Sequence, residues 1–179
     1  EGFKIIIGID LPKKRAMMHL DTIFTIIDTN KAIVFDHDEQ QINKFPIYVC
    51  SRDSSSSLQR TSDNFFEILS KYGMDFGIIK CGGSDQKNQL KEQWTDGANS
   101  FALESGKIIL YNCNKHTINE LKANGYRHIP ETMIDENPLE FEKYLHGDYK
   151  IVISFSGSEL VKGRGGPRCM TLPIKRKRI

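Results

Sequence analysis

Apolar residues recur along the chain in short runs separated by polar, glycine-bearing turns, a pattern that predicts many brief strands interrupted by a few helices. Residues 3–9, 22–27 and 32–35 are rich in Ile, Phe and Thr and read as strands. Residues 64–72 place Phe65, Phe66 and Leu69 on one helical face, with Gly73 positioned to close the helix. A strand follows at residues 75–81. The pattern then repeats: strands at 100–103 and 107–111, a helix opened by Thr117-Ile118-Asn119-Glu120, and a strand near 126–129. Thr117 with Glu120 reads as a capping box and Gly125 as the left-handed terminator, so the second helix is expected to be the better capped. Residues 150–155 and 169–174 read as a closing pair of strands, and 138–147 as a surface insertion. Residues 17–27 read as one continuous strand, in which His19 and Asp21 share a face while Met18 and Leu20 point to the opposite, core face.

Composition narrows the class. The 179 residues suffice for one domain with its own core, and 25 basic against 23 acidic side chains leave a net charge of only +2. No run approaches the ~18 apolar residues of a membrane span, and the charged start leads into too short an apolar stretch for a signal peptide, so the expected location is the cytoplasm. Cysteines stand at 50, 81, 113 and 169 without CxxC or Cys/His ligand spacing, which argues against a zinc site or a disulfide framework. Cys50, Cys81 and Cys113 are expected to be small buried hydrophobes. His37, His116, His128 and His146 sit singly among polar neighbours and are expected at the surface. The basic Lys175-Arg176-Lys177-Arg178 lacks interleaved aromatics and reads as a solvated terminus rather than a nucleic-acid contact. Ser54 to Ser57 is flexible by composition.

Two segments carry candidate chemistry. Gly163-Arg164-Gly165-Gly166-Pro167-Arg168-Cys169-Met170 is a glycine-rich turn delivering one thiol. Its glycines allow positive φ and close backbone approach, Pro167 restricts the turn, and two guanidinium groups beside Cys169 are expected to favour the thiolate. An inert cysteine at the start of a strand is the alternative. The second segment is Met18-His19-Leu20-Asp21, where an imidazole suited to proton transfer near neutral pH shares a face with a carboxylate able to grip a cation. A solvated strand edge is the alternative there.

In order and spacing, Met18-His19-Leu20-Asp21-Thr22-Ile23-Phe24-Thr25, Glu92-Gln93-Trp94-Thr95-Asp96-Gly97-Ala98-Asn99 and Ser158-Glu159-Leu160 followed by residues 163–170 resemble the arginine deiminases. The resemblance covers nearly all of residues 1–179, as the C-terminal portion of a longer protein. It implies a partial α/β propeller, pentein-like, of about two strand-strand-helix-strand blades plus a closing strand pair, with sites gathered at one mouth of the axis. Cys169 is then the nucleophile on arginine's guanidinium carbon, and His19 the acid toward departing ammonia and base toward water. Asp21 grips the guanidinium nitrogens, Gly163 offers a backbone carbonyl to the substrate, and Arg164 sits on a ligand-responsive loop. A solvated loop cation is the other reading of Arg164. The block at residues 92–99 is read as structural, with Asp96-Gly97 as a turn.

Arginine deiminases use further carboxylates, one within Glu-Gly-Gly-Asp, and carboxylate-binding arginines; no Glu-Gly-Gly-Asp occurs in this sequence, and Glu1-Gly2 continues as Phe3-Lys4, too close to His19 to stand for it. Where the family has Pro-Gly and Arg-Asn, this chain has Glu104-Ser105-Gly106 and Tyr111-Asn112-Cys113-Asn114. Three readings follow: a deiminase of free L-arginine completed by a missing N-terminal half, a truncated homologue that folds, dimerises with a second copy through its open flank and catalyses nothing, or an enzyme acting on another guanidine. None calls for a cofactor, a metal, nucleic acid or a membrane.

Overall fold

The computed structural model describes residues 5–51 and 57–175, a mixed α/β arrangement whose three sheets, among these residues, do not close on themselves. The first sheet is antiparallel, β1 (Ile5–Ile9), β4 (Ile47–Ser51) and β5 (Gln59–Thr61). The second runs in the order β2 (Phe24–Asp28), β3 (Lys31–Val34) and β6 (Gly77–Lys80), with β3 antiparallel to β2 and parallel to β6. The third has the order β7 (Phe101–Glu104), β8 (Lys107–Tyr111), β10 (Ile151–Phe155) and β9 (Arg127–Pro130). The described residues also form five α-helices: α1 (Phe65–Lys71), α2 (Gln86–Trp94), α3 (Lys115–Ala123), α4 (Thr132–Glu136) and α5 (Pro138–His146).

The second and third sheets share a motif, a hairpin followed after a helix by a strand parallel to its second arm. This is the repeat the hydrophobic pattern suggests. The closing pair does not form. Ile151–Phe155 inserts between β8 and β9, parallel to both, while residues 169–174 make turns and irregular chain. The reason is burial: Ile151, Val152, Ile153 and Ser154 are all buried, the signature of a central parallel strand. Residues 138–147, expected as an insertion, are mostly α5, which buries Tyr144 in a cluster with Ile129, Ile151 and Ile153.

The capping expectation reverses. Asn64 accepts from the Glu67 backbone and Glu67 reaches back to the Asn64 N–H, a complete box at α1. Helix α3 begins three residues earlier than expected, with Asn114 rather than Thr117 at its N-cap, so Thr117 lies inside it and donates instead to Glu92 at 2.7 Å. The Glu92 carboxylate also accepts the His116 and Thr117 backbone N–H groups at 2.8 Å each, a favourable place for an anion at a helix N-terminus. Gly125, at φ +88°, does close α3, and Gly73, at φ +73°, closes α1.

Sheets two and three are stitched through their hairpin turns. Gly106 N–H donates to Ile27 C=O, Ile151 N–H to Gly106 C=O, and Asp28 receives Ser105 and Lys150 at 2.6 Å each. Burial would raise the Asp28 carboxyl, but hydrogen bonds from Lys150, Ser105 and the Thr29 backbone, with the Lys150 charge, hold it down at about 2. Because these turns meet, the opposite ends of the strands meet too. The starts of β2 and β7 and the ends of β8 and β10 converge on one edge, and that edge carries the chemistry.

Candidate active site

Residues 17–27 are not one strand. Two single-turn 3₁₀ helices, Arg15–Met17 and Leu20–Thr22, precede β2. Met17 is buried, whereas Met18 and Leu20, expected in the core, are 47% and 37% exposed. His19 caps the second turn with extended backbone, and Thr22 returns its hydroxyl and its N–H to the His19 carbonyl at 2.7 and 3.2 Å. Asp21 therefore projects from a turn rather than a pleat, and still meets His19: one ligand atom each from His19, Asp21 and Cys169 lie within 4.8 Å of one another. Cys169 Sγ stands 4.0 Å from Asp21 Oδ2 across 148 residues of sequence.

Two polar side chains hold the cysteine loop. Asn99, fully buried at the start of β7, accepts the Cys169 N–H through Oδ1 at 3.1 Å and donates through Nδ2 to the sulfur at 3.1 Å and to the Asp21 carbonyl at 3.4 Å. Tyr111, at the end of β8, donates its hydroxyl to Gly165 C=O at 2.7 Å. Gly166 fits beneath Asn99, where a Cβ would lie 2.4 Å from Oδ1. Glycine is needed there for space, not for conformation. Positive φ in this loop belongs to Arg164, at 62°, and not to Gly163, Gly165 or Gly166.

Arg164 occupies neither a pocket wall nor solvent. It is 7% exposed, 3.7 Å from Asp96, stacked 4.6 Å over the Trp94 ring, and donates to the Gln93, Trp94 and Ala16 carbonyls. Gln93 donates to the same Ala16 carbonyl and to that of Thr22. The block at 92–99 thus ties the His19–Asp21 segment to the cysteine loop. Its expected structural role holds for Glu92, Gln93 and Asp96, which adopts φ 61° at the turn. Asn99, expected to be structural like Asp96 and Gly97, goes further and touches the sulfur; an amide two residues after an Asp-Gly turn is its signal in the sequence. Gly163 is exposed, with nothing within 4 Å of where a Cβ would stand.

The thiol departs from expectation. Of its two flanking arginines, one is buried away from it and Arg168 reaches Asp21 Oδ2 instead, at 3.8 Å. Burial and then the Asp21 charge raise the Cys169 thiol, against smaller downward pulls from the Gly166 backbone and Asn99. Asp21 Oδ1 is buried and has no hydrogen-bond partner. A hollow of about 370 Å³ opens over Asp21, His19, Phe24 and Arg168. A larger hollow, about 530 Å³, lies beside β5 against Arg60, Asp63 and Asn64, and neither cysteine nor histidine lines it.

Since Asp21 raises the thiol, Asp21→Asn should shift the pH profile of Cys169 alkylation by iodoacetamide toward lower pH in the ligand-free protein. An unmoved or upward-shifted profile would show that the carboxylate does not act on the sulfur.

Elsewhere, Cys81 is buried as expected, while Cys50 and Cys113 are only partly so. His37, expected at the surface, is buried and stacked on Phe35 at 5.9 Å. His128 is half-buried against Ser154 at 2.7 Å. Arg176-Lys177-Arg178 and Ser54 to Ser56 lie outside the described residues. No helix among the described residues is long and apolar enough to cross a membrane.

Residues 1–176 match the arginine deiminase family. The chain is 38% identical over 177 residues to an arginine deiminase of Mycoplasma capricolum subsp. capricolum, covering 98% of this chain and 37% of that protein. It is 35% identical over 182 residues to arginine deiminases of Borrelia garinii subsp. bavariensis and Borreliella afzelii, covering 99% of this chain and 38% of each. The chain thus spans less than two fifths of these relatives.

Proposed function

The chain belongs to the arginine deiminase family, and from that premise we propose that it supplies the nucleophile-bearing part of a site that hydrolyses L-arginine to L-citrulline and ammonia through a cysteine-bound intermediate. The observation that carries this is the meeting of Cys169, His19 and Asp21 within 4.8 Å. Attack of water on a resonance-stabilised guanidinium carbon is slow, and a sulfur nucleophile divides it into two easier steps.

A guanidinium forked onto Asp21 satisfies the partnerless Oδ1 and takes the place Arg168 now holds. Its positive charge offsets Asp21, so the thiol ionises as substrate binds. The thiolate adds to the guanidinium carbon, His19 gives a proton to the departing nitrogen, and ammonia leaves a cationic S-alkylthiouronium. Water, losing a proton to His19, adds to the same carbon. The C–S bond then breaks as the added hydroxyl gives its proton to solvent, leaving citrulline and the thiolate, which regains a proton once the cation has gone. Within the family's α/β propeller, the two hairpin-helix-strand units are neighbouring blades, and the converging strand ends form part of the mouth.

Among the described residues, Cys169, His19 and Asp21 serve one side of the guanidinium. The other carboxylates implied by the family have no counterpart in this sequence, so a second polypeptide segment must complete the site. The purified 179 residues alone should form little or no citrulline, and mixing or co-expression with the uncovered part of a family relative should restore it. Robust arginine-dependent citrulline formation by the chain alone would overturn the need for completion. A stable assembly that stays inactive would favour a folded, non-catalytic homologue.

A further inference from the structure

Three donor atoms of different chemistry share one small space at this edge: an imidazole nitrogen, a carboxylate oxygen and a sulfur, within 4.8 Å of one another. Metal bonds of about 2.0–2.3 Å set neighbouring donors roughly 3.3–3.8 Å apart, so the Cys169–Asp21 separation of 4.0 Å needs only a small contraction. Asp21 Oδ1 is buried and partnerless, so the carboxylate keeps an unused acceptor beside the oxygen that Arg168 approaches. His19 and Cys169 are exposed and can close on an ion from the solvent side.

We propose that His19, Asp21 and Cys169 form a three-ligand site for a borderline-soft divalent cation such as Zn²⁺, open at the fourth position and exclusive with a guanidinium ligand. The donor set selects the ion. Sulfur and imidazole favour Zn²⁺ and its neighbours, whereas Mg²⁺ and Ca²⁺ seek oxygen. As the metal–sulfur bond forms, the thiol proton passes to solvent and no electrons are transferred. Asn99 Nδ2, already on the sulfur, stays as its orienting donor. The ion would block the nucleophile and shield it from oxidation. Arg168 opposes it, since its guanidinium stands 3.8 Å from the carboxylate oxygen the metal needs.

This rests on geometry and not on the deiminase reaction proposed above. The test titrates the purified, chelator-treated chain with Co²⁺ and follows the thiolate-to-cobalt charge-transfer absorption, then displaces Co²⁺ with Zn²⁺. One ion per chain is expected. Cys169→Ser should abolish the band, His19→Ala and Asp21→Asn should each weaken binding at least about tenfold, and a Cys50→Ser/Cys113→Ser double variant should retain it. Arg168→Ala should bind several-fold more tightly, an effect that general damage to the loop cannot produce, and circular dichroism should show each variant folded. A band that survives Cys169→Ser, disappears in the Cys50/Cys113 variant, or ignores His19→Ala would overturn the site. So would Arg168→Ala binding no tighter than the parent. Absence of the band leaves the deiminase proposal standing, and cobalt binding by a chain that never forms citrulline leaves the metal site standing.

Discussion

Cys169→Ser is expected to lower citrulline formation by the completed enzyme by about 10³-fold or more, while Cys81→Ser leaves it within a few-fold. A serine hydroxyl has the position but not the acidity, and Asp21 Oδ2, 4.0 Å from Cys169 Sγ, is too far to take its proton through a direct hydrogen bond. Cys81 is equally free of a disulfide but fully buried, and burial pushes its thiol far up. The measurement is citrulline per assembled site under saturating arginine, with mass spectrometry for a covalent adduct on Cys169 after rapid quench. Activity retained in Cys169→Ser, or an adduct on another cysteine, would remove the assigned nucleophile. His19→Ala should slow both adduct formation, because the departing nitrogen loses its acid, and adduct release, because the water that frees citrulline loses its base.

Arg164→Met should destabilise the fold by about 3 kcal/mol, the lower end of what removing one partner of a buried ion pair costs, lowering the midpoint of thermal unfolding by roughly 6–12 °C. Arg164 and Asp96 side chains are 1% and 2% exposed, and the guanidinium also holds three backbone carbonyls from two other segments. Burial already raises the Asp96 carboxyl, with the Arg164 charge pulling it down; without Arg164 it rises further. A raised carboxyl stabilises the fold when protonated, so the deficit should be small below the ordinary aspartate value of 3.8 and full once pH exceeds the raised value. Unfolding followed by circular dichroism across that window checks the sign. Asp96→Asn combined with Arg164→Met should recover part of the loss, since no charge is then left buried alone. A variant as stable as the parent at neutral pH would mean that Arg164 is held loosely and free to swing toward ligand.

The chemistry-bearing residues were legible because they are local in sequence: a glycine-rich turn ending in Cys169, and His19 two residues from Asp21. The hairpin-helix-strand repeat was legible for the same reason, being written in apolar spacing and in glycines that end helices. Misreadings arose where distant contacts outweigh local preference. Residues 17–27 alternate like a strand, yet Gln93 and Arg164 draw the Ala16 carbonyl and Gln93 draws that of Thr22, so turns form and Met18 and Leu20 face water. Thr117 looks like a cap but is taken by Glu92 from another helix.

By itself, then, the sequence determined which side chains are chemically able to act and the family to which the chain belongs, because residue type and short spacing survive without a partner. Tertiary structure alone decided that Ile151–Phe155 runs through the middle of a sheet, that Arg164 faces inward, and that Asn99 holds the sulfur. Those outcomes depend on which strand ends meet, and that is set by hydrogen bonds and burial between segments as far apart as Asp21 and Cys169.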